Sequence, residues 1–210
     1  STQPLSAMSP RSKSTLTLLA IISPFVLFFI VGRYFFNPWE LPRVNKGQLI
    51  IPHIPIADLG LKEPGGGAYN AEDTDGMWTL LYVAGEQCDK ACKNGLYYQM
   101  RQVRLTLNEN AHRLRRLVIL TGTPDADFKQ FLNENVAGME QATGELDSLR
   151  DALEPVYPAQ ASAPLGDIFV VSPDGQIFLR YPTHESMDAT LVEAENIRLD
   201  LERTLKGSLI

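Results

Sequence analysis

An uncharged apolar segment near the start of the chain constrains its structure more than any other feature. No charged residue occurs between Ser14 and Gly32, and Leu, Ile, Val, Phe and Ala dominate the segment. A helix of about 20 apolar residues is long enough to cross the hydrocarbon core of a bilayer. Pro24 lies inside the segment, and a spanning helix tolerates proline with a kink. The sequence therefore predicts a transmembrane anchor over residues 14–36, preceded by a short tail over residues 1–13.

A cleaved signal peptide is the alternative to an uncleaved anchor. A signal peptide has a shorter apolar core, followed by small residues at its cleavage site. Here an arginine and three aromatic residues, 33–36, follow Gly32, and together with Trp39 they are typical of a membrane interface. We therefore favour an anchor. Basic residues flank it on both sides and leave its orientation open, whereas the cysteines favour an oxidising compartment for the rest of the chain, with the N-terminus in the cytoplasm.

The remainder of the chain predicts one α/β domain after a linker. Residues 37–76 are rich in Pro and Gly and include an apolar run, within 45–52, that predicts a short strand. The folded domain is expected over residues 77–210. Its predicted elements are strands at 78–83 and 117–120, helices at 90–108, 124–132, 146–153 and 187–206, and a hairpin with strands at 168–171 and 176–180. This order predicts an α/β sandwich with a mixed central sheet.

The only two cysteines, Cys88 and Cys92, follow the first predicted strand and open the first predicted helix of the domain. Amides at a helix N-terminus favour a thiolate, so this position suits redox exchange or the binding of a soft metal. Because no other thiol is present, the two cysteines either pair with each other, bind a ligand or have no chemical role. The sequence leaves these alternatives open.

The charge of the chain bears on its partners. The net charge of −6 argues against nucleic-acid binding, since binding to a duplex requires a basic face. A local basic stretch contains Arg101, Arg104, Arg113, Arg115 and Arg116. We interpret this stretch as a solvated helix face and the loop that follows it.

The ordered combination of strand, Cys-x3-Cys, helix, strand, Ser-Pro-Asp-Gly hairpin and C-terminal helix resembles the thioredoxin-like fold. Within that fold it resembles the Sco family of membrane-anchored copper proteins, which serve cytochrome c oxidase assembly. The resemblance covers roughly residues 77–206. It is closer still to small Sco-like membrane proteins encoded among proteobacterial cytochrome c oxidase genes, with similar sequences at 45–50, 78–83, 100–108 and 169–181.

One position departs from the Sco pattern. In Sco proteins a histidine before the hairpin strand is the third copper ligand beside the two thiolates, and the corresponding position here is Pro164. Proline has no ligand atom, so the resemblance implies Cys88 and Cys92 as a redox pair, or as a copper(I) site that lacks its third ligand. Thioredoxin oxidoreductases carry a Cys-x2-Cys motif and a cis-proline close to the disulfide. By position that proline would fall nearer Gly166 in this chain, so Pro164 is only a loose candidate for it.

Three other side chains could supply a third copper ligand: Met100, His112 and His184. Helical spacing places Met100 two turns beyond Cys92. We interpret Met100 as a core residue and the two histidines as surface residues.

The resemblance implies a Sco-like factor that assists cytochrome c oxidase biogenesis through thiol-disulfide chemistry of Cys88 and Cys92 at the copper-accepting subunit. It also implies a single-pass protein of the bacterial inner membrane with a periplasmic domain. Its partners would be oxidase subunits or assembly factors. The one cofactor that the resemblance implies is copper(I), and the one enzymatic activity is thiol-disulfide exchange. A non-catalytic scaffold or accessory oxidase subunit and a general periplasmic thiol-disulfide oxidoreductase are the alternatives.

Overall fold

The computed structural model describes residues 10–35, 45–69, 76–157 and 165–208. Its contacts divide the chain into two units, Ser1–Val44 and Asn45–Ile210. The described residues of the first unit form the helix α1 (Pro10–Phe35), in which Ser14–Arg33 is long and apolar enough to cross a membrane. This confirms the predicted N-terminal apolar helix, although signal sequences share its length and composition. Phe36 and Trp39 of the expected aromatic belt lie outside the described residues.

The second unit is built on a six-stranded sheet in the order β1-β6-β5-β2-β3-β4. Strand β2 pairs in parallel with β3, and β3 in parallel with β4. On the other side of β2 the pairs β2–β5, β5–β6 and β6–β1 are antiparallel. The mixed sheet predicted from the sequence is thereby confirmed. The strands are β1 (Gln48–Pro55), β2 (Trp78–Ala84), β3 (Leu114–Leu120), β4 (Glu140–Thr143), β5 (Asp167–Val171) and β6 (Gln176–Pro182).

Helices cover both faces of the sheet. The helix after β2 begins as α2 (Lys90–Asn94), continues as a π-helical segment (Gly95–Gln102) and ends as α3 (Val103–Thr106). The others are α4 (Ala126–Glu134), α5 (Leu146–Leu153) and α6 (Met187–Gly207). Along β2 every residue is buried: Leu80 and Tyr82 join the core beneath α6 and the π-helical segment, and Leu81 and Val83 join the core beneath α5. A strand covered on both faces needs the continuous apolar run that the sequence shows.

Strand β4 is the element that the sequence did not indicate. Its sequence is Glu-Gln-Ala-Thr, and Ala142 is its only buried residue. A short strand at the edge of a sheet has little apolar surface, so no alternating pattern identifies it. Backbone pairing with β3 on one side and with Lys62 on the other holds it in place.

The spacing of apolar residues in the C-terminal helix predicts one buried face, formed by Met187, Leu191, Ala194, Ile197, Leu201 and Leu205. This prediction is wrong over the first two turns of α6. Met187 and Leu191 were expected inside but are 39% and 50% exposed, whereas Thr190 is fully buried. The buried stripe runs through Thr190, Ile197 and Leu201, so Met187 and Leu191 lie at its edge. Thr190 is stable inside because its hydroxyl donates to the backbone oxygen atoms of the chain just before α6.

The interpretation of the basic stretch as solvated is also wrong for several of its arginines. Arg104 donates through Nε to the Leu114 carbonyl at 2.8 Å, and Arg113 donates through Nη1 to the Leu205 carbonyl at 3.0 Å. Arg116 is only 8% exposed. These guanidinium groups tie helices and strands together through backbone oxygens, which the spacing of charged residues alone does not reveal.

A buried carboxylate fixes the start of the second unit. Asp200, on α6, is fully buried and accepts hydrogen bonds from the backbone N–H groups of Lys46 and Gly47 and from the Tyr181 hydroxyl at 2.6 Å. A Cβ atom at Gly47 would lie 2.5 Å from the Tyr181 ring, so glycine is needed there. The segment that leads into β1 is therefore attached to the C-terminal helix.

Candidate functional site: a disulfide at the start of a helix

A disulfide joins Cys88, in the turn between β2 and α2, to Cys92, in the first turn of α2, with their Cα atoms 5.2 Å apart. Of the alternatives that the sequence left open, the structure contains the paired form. Both residues are buried, with exposed fractions of 7% and 4%, and both belong to the core beneath α6. The bond therefore lies at the rim of the core, beyond the carboxyl end of β2.

The local sequence explains why a helix begins between Cys88 and Cys92. Asp89 is the N-cap of α2, and its carboxylate accepts a hydrogen bond from the Cys92 N–H at 2.9 Å. Cys88 thus precedes the cap and Cys92 lies in the first turn. After reduction, the free N–H groups of that turn would favour thiolates, whereas the Asp89 carboxylate would oppose them. The ammonium group of Lys93 is paired with Asp127 at 2.7 Å.

The segment that enters β5 passes beside this turn. The Gly166 N–H donates to the Val83 carbonyl at 3.3 Å, and the Gly166 carbonyl accepts from the Thr183 hydroxyl at 2.6 Å. Gly166 has φ +91°, a conformation that favours glycine. Leu165 is 41% exposed and borders Gly85, three residues before Cys88. Pro164, which corresponds to the missing histidine ligand, lies outside the described residues.

A polar network holds the chain on both sides of residues 158–164, which lie outside the described ranges. The Tyr157 hydroxyl donates to the Asp167 carboxylate, which also accepts from Arg180 Nε at 2.7 Å. The Arg180 guanidinium lies over the Tyr157 ring at 4.5 Å. Burial, followed by the hydrogen bond to Asp167, raises the pKa of Tyr157, so this hydroxyl stays protonated and donating. The network fixes Tyr157 against the start of β5.

Two side-chain amides clamp the helix after the disulfide to the connection between β6 and α6. Asn94 Nδ2 donates to the His184 and Glu185 carbonyls at 3.0 and 3.1 Å, and Gln99 Nε2 donates to the Pro182 carbonyl at 2.9 Å. These amides are five residues apart, which is the hydrogen-bond spacing of a π-helix. At α-helical spacing they would lie on different faces, so sequence periodicity did not identify the clamp.

The structure gives each of the three candidate third ligands an environment of its own. Met100 is fully buried in the core, as expected. His184 Nε2 lies 3.0 Å from the Glu193 carboxylate, and His112 is exposed in the turn before β3. Because β2 and β3 are parallel, that turn, at the amino end of β3, and the disulfide, at the carboxyl end of β2, lie at opposite ends of the strands.

The donor set bears on copper binding. Within the described residues no group of three or more His, Cys, Asp or Glu side chains is arranged to hold a metal. Two thiolates released by reduction would suit copper(I), which prefers soft ligands. The described residues do not fit a site with two cysteines and a histidine.

Comparisons with known proteins agree with this architecture. Residues 78–208 match the family described as transmembrane-like, thioredoxin-like, C-terminal domain. No curated protein matches the chain. Among solved structures, apo Sco1 from Thermus thermophilus is 13% identical with a TM-score of 0.52, and the match covers 77% of this chain and 97% of that chain.

Yeast Sco1 is similar to the same extent. It is 16% identical with a TM-score of 0.51 over 79% of this chain and 97% of that chain, and its copper-bound form has a TM-score of 0.50 at the same identity, over 79% of this chain and 95% of that one. At such identities the similarity shows the fold alone, and it confirms the thioredoxin-like α/β fold predicted from the sequence. With the family match extending over most of its second unit, the chain belongs to the family of transmembrane-like, thioredoxin-like C-terminal domains.

Proposed function

We propose that the protein is a membrane-anchored, Sco-like thiol-disulfide factor that assists cytochrome c oxidase biogenesis. The observation that carries the proposal is the disulfide between the only two cysteines, placed at the start of the helix that follows β2 in a thioredoxin-like domain. In this proposal α1 spans the bacterial inner membrane and residues 77–210 form the periplasmic domain. Oxidase subunits or their assembly factors are the partners.

The chemistry is thiol-disulfide exchange. In the reduced protein, the Cys88 thiolate attacks one sulfur of a partner disulfide and displaces the other as a thiolate, forming a mixed disulfide. The Cys92 thiolate then attacks Cys88 and releases the second partner sulfur. The partner gains two electrons and becomes a dithiol able to take up copper, while Cys88 and Cys92 return to the disulfide. An upstream dithiol reductant must reduce the pair before each cycle.

The donor set favours exchange over copper storage. Among the described residues no His, Asp or Glu joins the two cysteines in a metal-binding group, and Pro164 has no ligand atom with which to supply a third ligand. The oxidase as target is supported by the similarity of residues 45–50, 78–83, 100–108 and 169–181 to Sco-like proteins encoded among oxidase genes. The common fold with Sco1 is compatible with that assignment.

A non-catalytic scaffold beside the oxidase is the second candidate. It is favoured by the burial of both sulfur-bearing residues, since exposed fractions of 7% and 4% restrict the approach of an attacking thiolate. In that case the disulfide would only stabilise the domain.

Replacement of Cys88 and Cys92 by Ser in the native host separates the two candidates. If thiol exchange is the function, the double variant accumulates immature oxidase that lacks copper, as deletion of the whole chain does. Normal oxidase activity in the variant, with loss on deletion, would establish the scaffold. The exposed substitution Arg150→Gln serves as a control for expression and membrane insertion, because Arg150 lies on α5, on the other side of the sheet from α2.

Two measurements on the purified protein complete the test. Reduction of insulin by the reduced chain would identify a general oxidoreductase without specificity for the oxidase. Titration of the reduced chain with copper(I) against a chromophoric chelator tests the donor set. Tight one-to-one binding that is lost in Cys88→Ser would show a chaperone whose third ligand lies outside the described residues.

A further inference from the structure

Three arginines from two elements meet on one face of the sheet, far from the disulfide. Arg101 and Arg104 are three residues apart on the helix after β2 and therefore share a helix face. Arg104 Nε donates to the Leu114 carbonyl, and Leu114 lies two residues before Arg116 on the same face of β3. The Arg104 and Arg116 side chains are thus brought together at the amino end of β3.

Arg116 is the most unusual member of this group. It is 8% exposed; its Nη2 donates to the Ala137 carbonyl at 3.2 Å, and its Nη1 is buried without a hydrogen-bond partner among the described residues. Burial, then the nearby charges of Arg104 and Arg101, lowers the pKa of Arg116. The direction of this shift agrees with the placement that the Arg104–Leu114 bond and the helix spacing of Arg101 and Arg104 indicate.

No carboxylate among the described residues forms an ion pair with any of these three arginines. Three neighbouring cations, one of them buried, repel one another, and a buried charge without a counter-charge is strongly destabilising. The bond to Ala137 connects Arg116 to the chain beyond α4, but it uses only one amino group and needs no positive charge. The arrangement therefore favours a negative partner from outside the described residues.

We propose that Arg101, Arg104 and Arg116 form a binding site for a phosphate-type oxyanion, supplied by a soluble phosphate ester or by an anionic lipid headgroup. Arg101 and Arg104 are half-buried and present the donors that a ligand reaches, while Arg116 adds charge behind them. Arg101 is oriented by the Tyr97 ring, whose centroid lies 5.2 Å from its guanidinium carbon. Planar guanidinium groups pair with the oxygens of phosphate in a bidentate manner.

The site is separate from the proposed thiol chemistry. It lies at the amino end of β3, whereas the disulfide follows the carboxyl end of the parallel strand β2. Loss of either function therefore leaves the other measurable.

The test is equilibrium dialysis of radiolabelled inorganic phosphate against the full chain in neutral detergent micelles, with ionic strength held constant by chloride. The wild-type chain is expected to bind one phosphate saturably. Arg101→Gln and Arg104→Gln are each expected to weaken binding at least tenfold, because each removes a charge-assisted donor. Arg150→Gln, an exposed arginine on α5, is expected to stay within about twofold of wild type.

The same dialysis in micelles doped with phosphatidylglycerol or phosphatidylcholine identifies the source of the oxyanion. Displacement of phosphate by phosphatidylglycerol alone indicates a lipid headgroup, and the absence of displacement indicates a soluble phosphate ester. The proposal is overturned if phosphate binding is undetectable, or if Arg101→Gln binds it as tightly as wild type. Because Arg101 is half-buried and lies against the Tyr97 ring on the outer side of its helix, its variant is expected to fold, which keeps the test valid even where Arg116 variants do not.

Discussion

The Asp200 carboxylate joins three donors from two separate parts of the chain, so its removal is expected to destabilise the second unit strongly. In Asp200→Ala, three donors lose their acceptor: the N–H groups of Lys46 and Gly47 and the Tyr181 hydroxyl. Lys46 is exposed and Gly47 is half-buried, so water can replace part of what their N–H groups lose, whereas Tyr181 is fully buried. The orphaned hydroxyl therefore keeps its whole desolvation penalty.

The magnitude follows from the number and type of these bonds. Hydrogen bonds to charged groups contribute about 1.5–3 kcal/mol each, and the two backbone donors recover part of theirs from water. Asp200→Ala is expected to lower the free energy of unfolding by about 3–5 kcal/mol. Tyr181→Phe removes only one bond and leaves the carboxylate with its two backbone donors, so a loss of about 1–2 kcal/mol is expected.

Urea unfolding of the fragment 45–210, which contains both cores, measures these losses. With an m-value of about 2 kcal/mol per molar, Asp200→Ala should lower the midpoint by about 2 M and Tyr181→Phe by less than about 1 M. In the double variant the two losses should not add, because both remove the same bond. A loss below about 1 kcal/mol for Asp200→Ala, or full additivity, would refute the proposed attachment of the lead-in segment.

Three further outcomes are expected. Reduction of the disulfide should lower the stability of the fragment by about 2 kcal/mol, since it closes a ring of only about five residues; equal urea midpoints with and without reductant would contradict this. The free energy of unfolding should fall as pH rises above about 10, because burial raises the pKa of Tyr82, Tyr157 and Tyr181 and the unfolded chain then holds fewer protons than the folded one. Each tyrosine contributes up to about 1.4 kcal/mol per pH unit. Urea midpoints measured from pH 8 to 11 should therefore fall less steeply with pH in Tyr181→Phe than in the wild-type chain. Gly95→Ala should cost about 1–3 kcal/mol, because its Cβ would lie 2.5 Å from Thr183 Cγ2. Thr183→Ser in the same chain removes that methyl group, keeps the hydroxyl that bonds Gly166, and should recover part of the loss in thermal unfolding.

The sheet and its helices were predictable where burial leaves a strong pattern. Strand β2 is buried along its whole length and shows a continuous apolar run, and the hairpin of β5 and β6 is marked by Pro173 and Gly175 in its turn. Strand β4 is an edge strand with one buried residue, so backbone pairing holds it in place and no side-chain pattern reveals it. Fold prediction from this sequence therefore failed where the backbone, and not apolar burial, specifies the element.

The residues of the candidate site likewise differ in whether the sequence could predict their role. Cys88 and Cys92 could be identified because cysteine has few chemical roles and no other thiol is present. Asn94 and Gln99 could not, because the π-helical segment that follows Asn94 is what brings them to a common face. Asp200 could not, because its two backbone donors, Lys46 and Gly47, are more than 150 residues earlier in the chain. Local spacing predicts chemistry carried by adjacent residues, but it does not predict contacts made by the fold.

The contacts around the disulfide indicate how exchange would have to occur. An attacking thiolate must reach a sulfur atom, yet Cys88 and Cys92 are 7% and 4% exposed, so a partner must displace part of the surrounding chain. On one side the helix is fixed by the three amide hydrogen bonds of Asn94 and Gln99. On the other side Gly166 donates to β2 at 3.3 Å and accepts from the Thr183 hydroxyl at 2.6 Å, and Leu165 is exposed to solvent. A partner that exchanges with this disulfide would therefore approach from the side of the segment that enters β5.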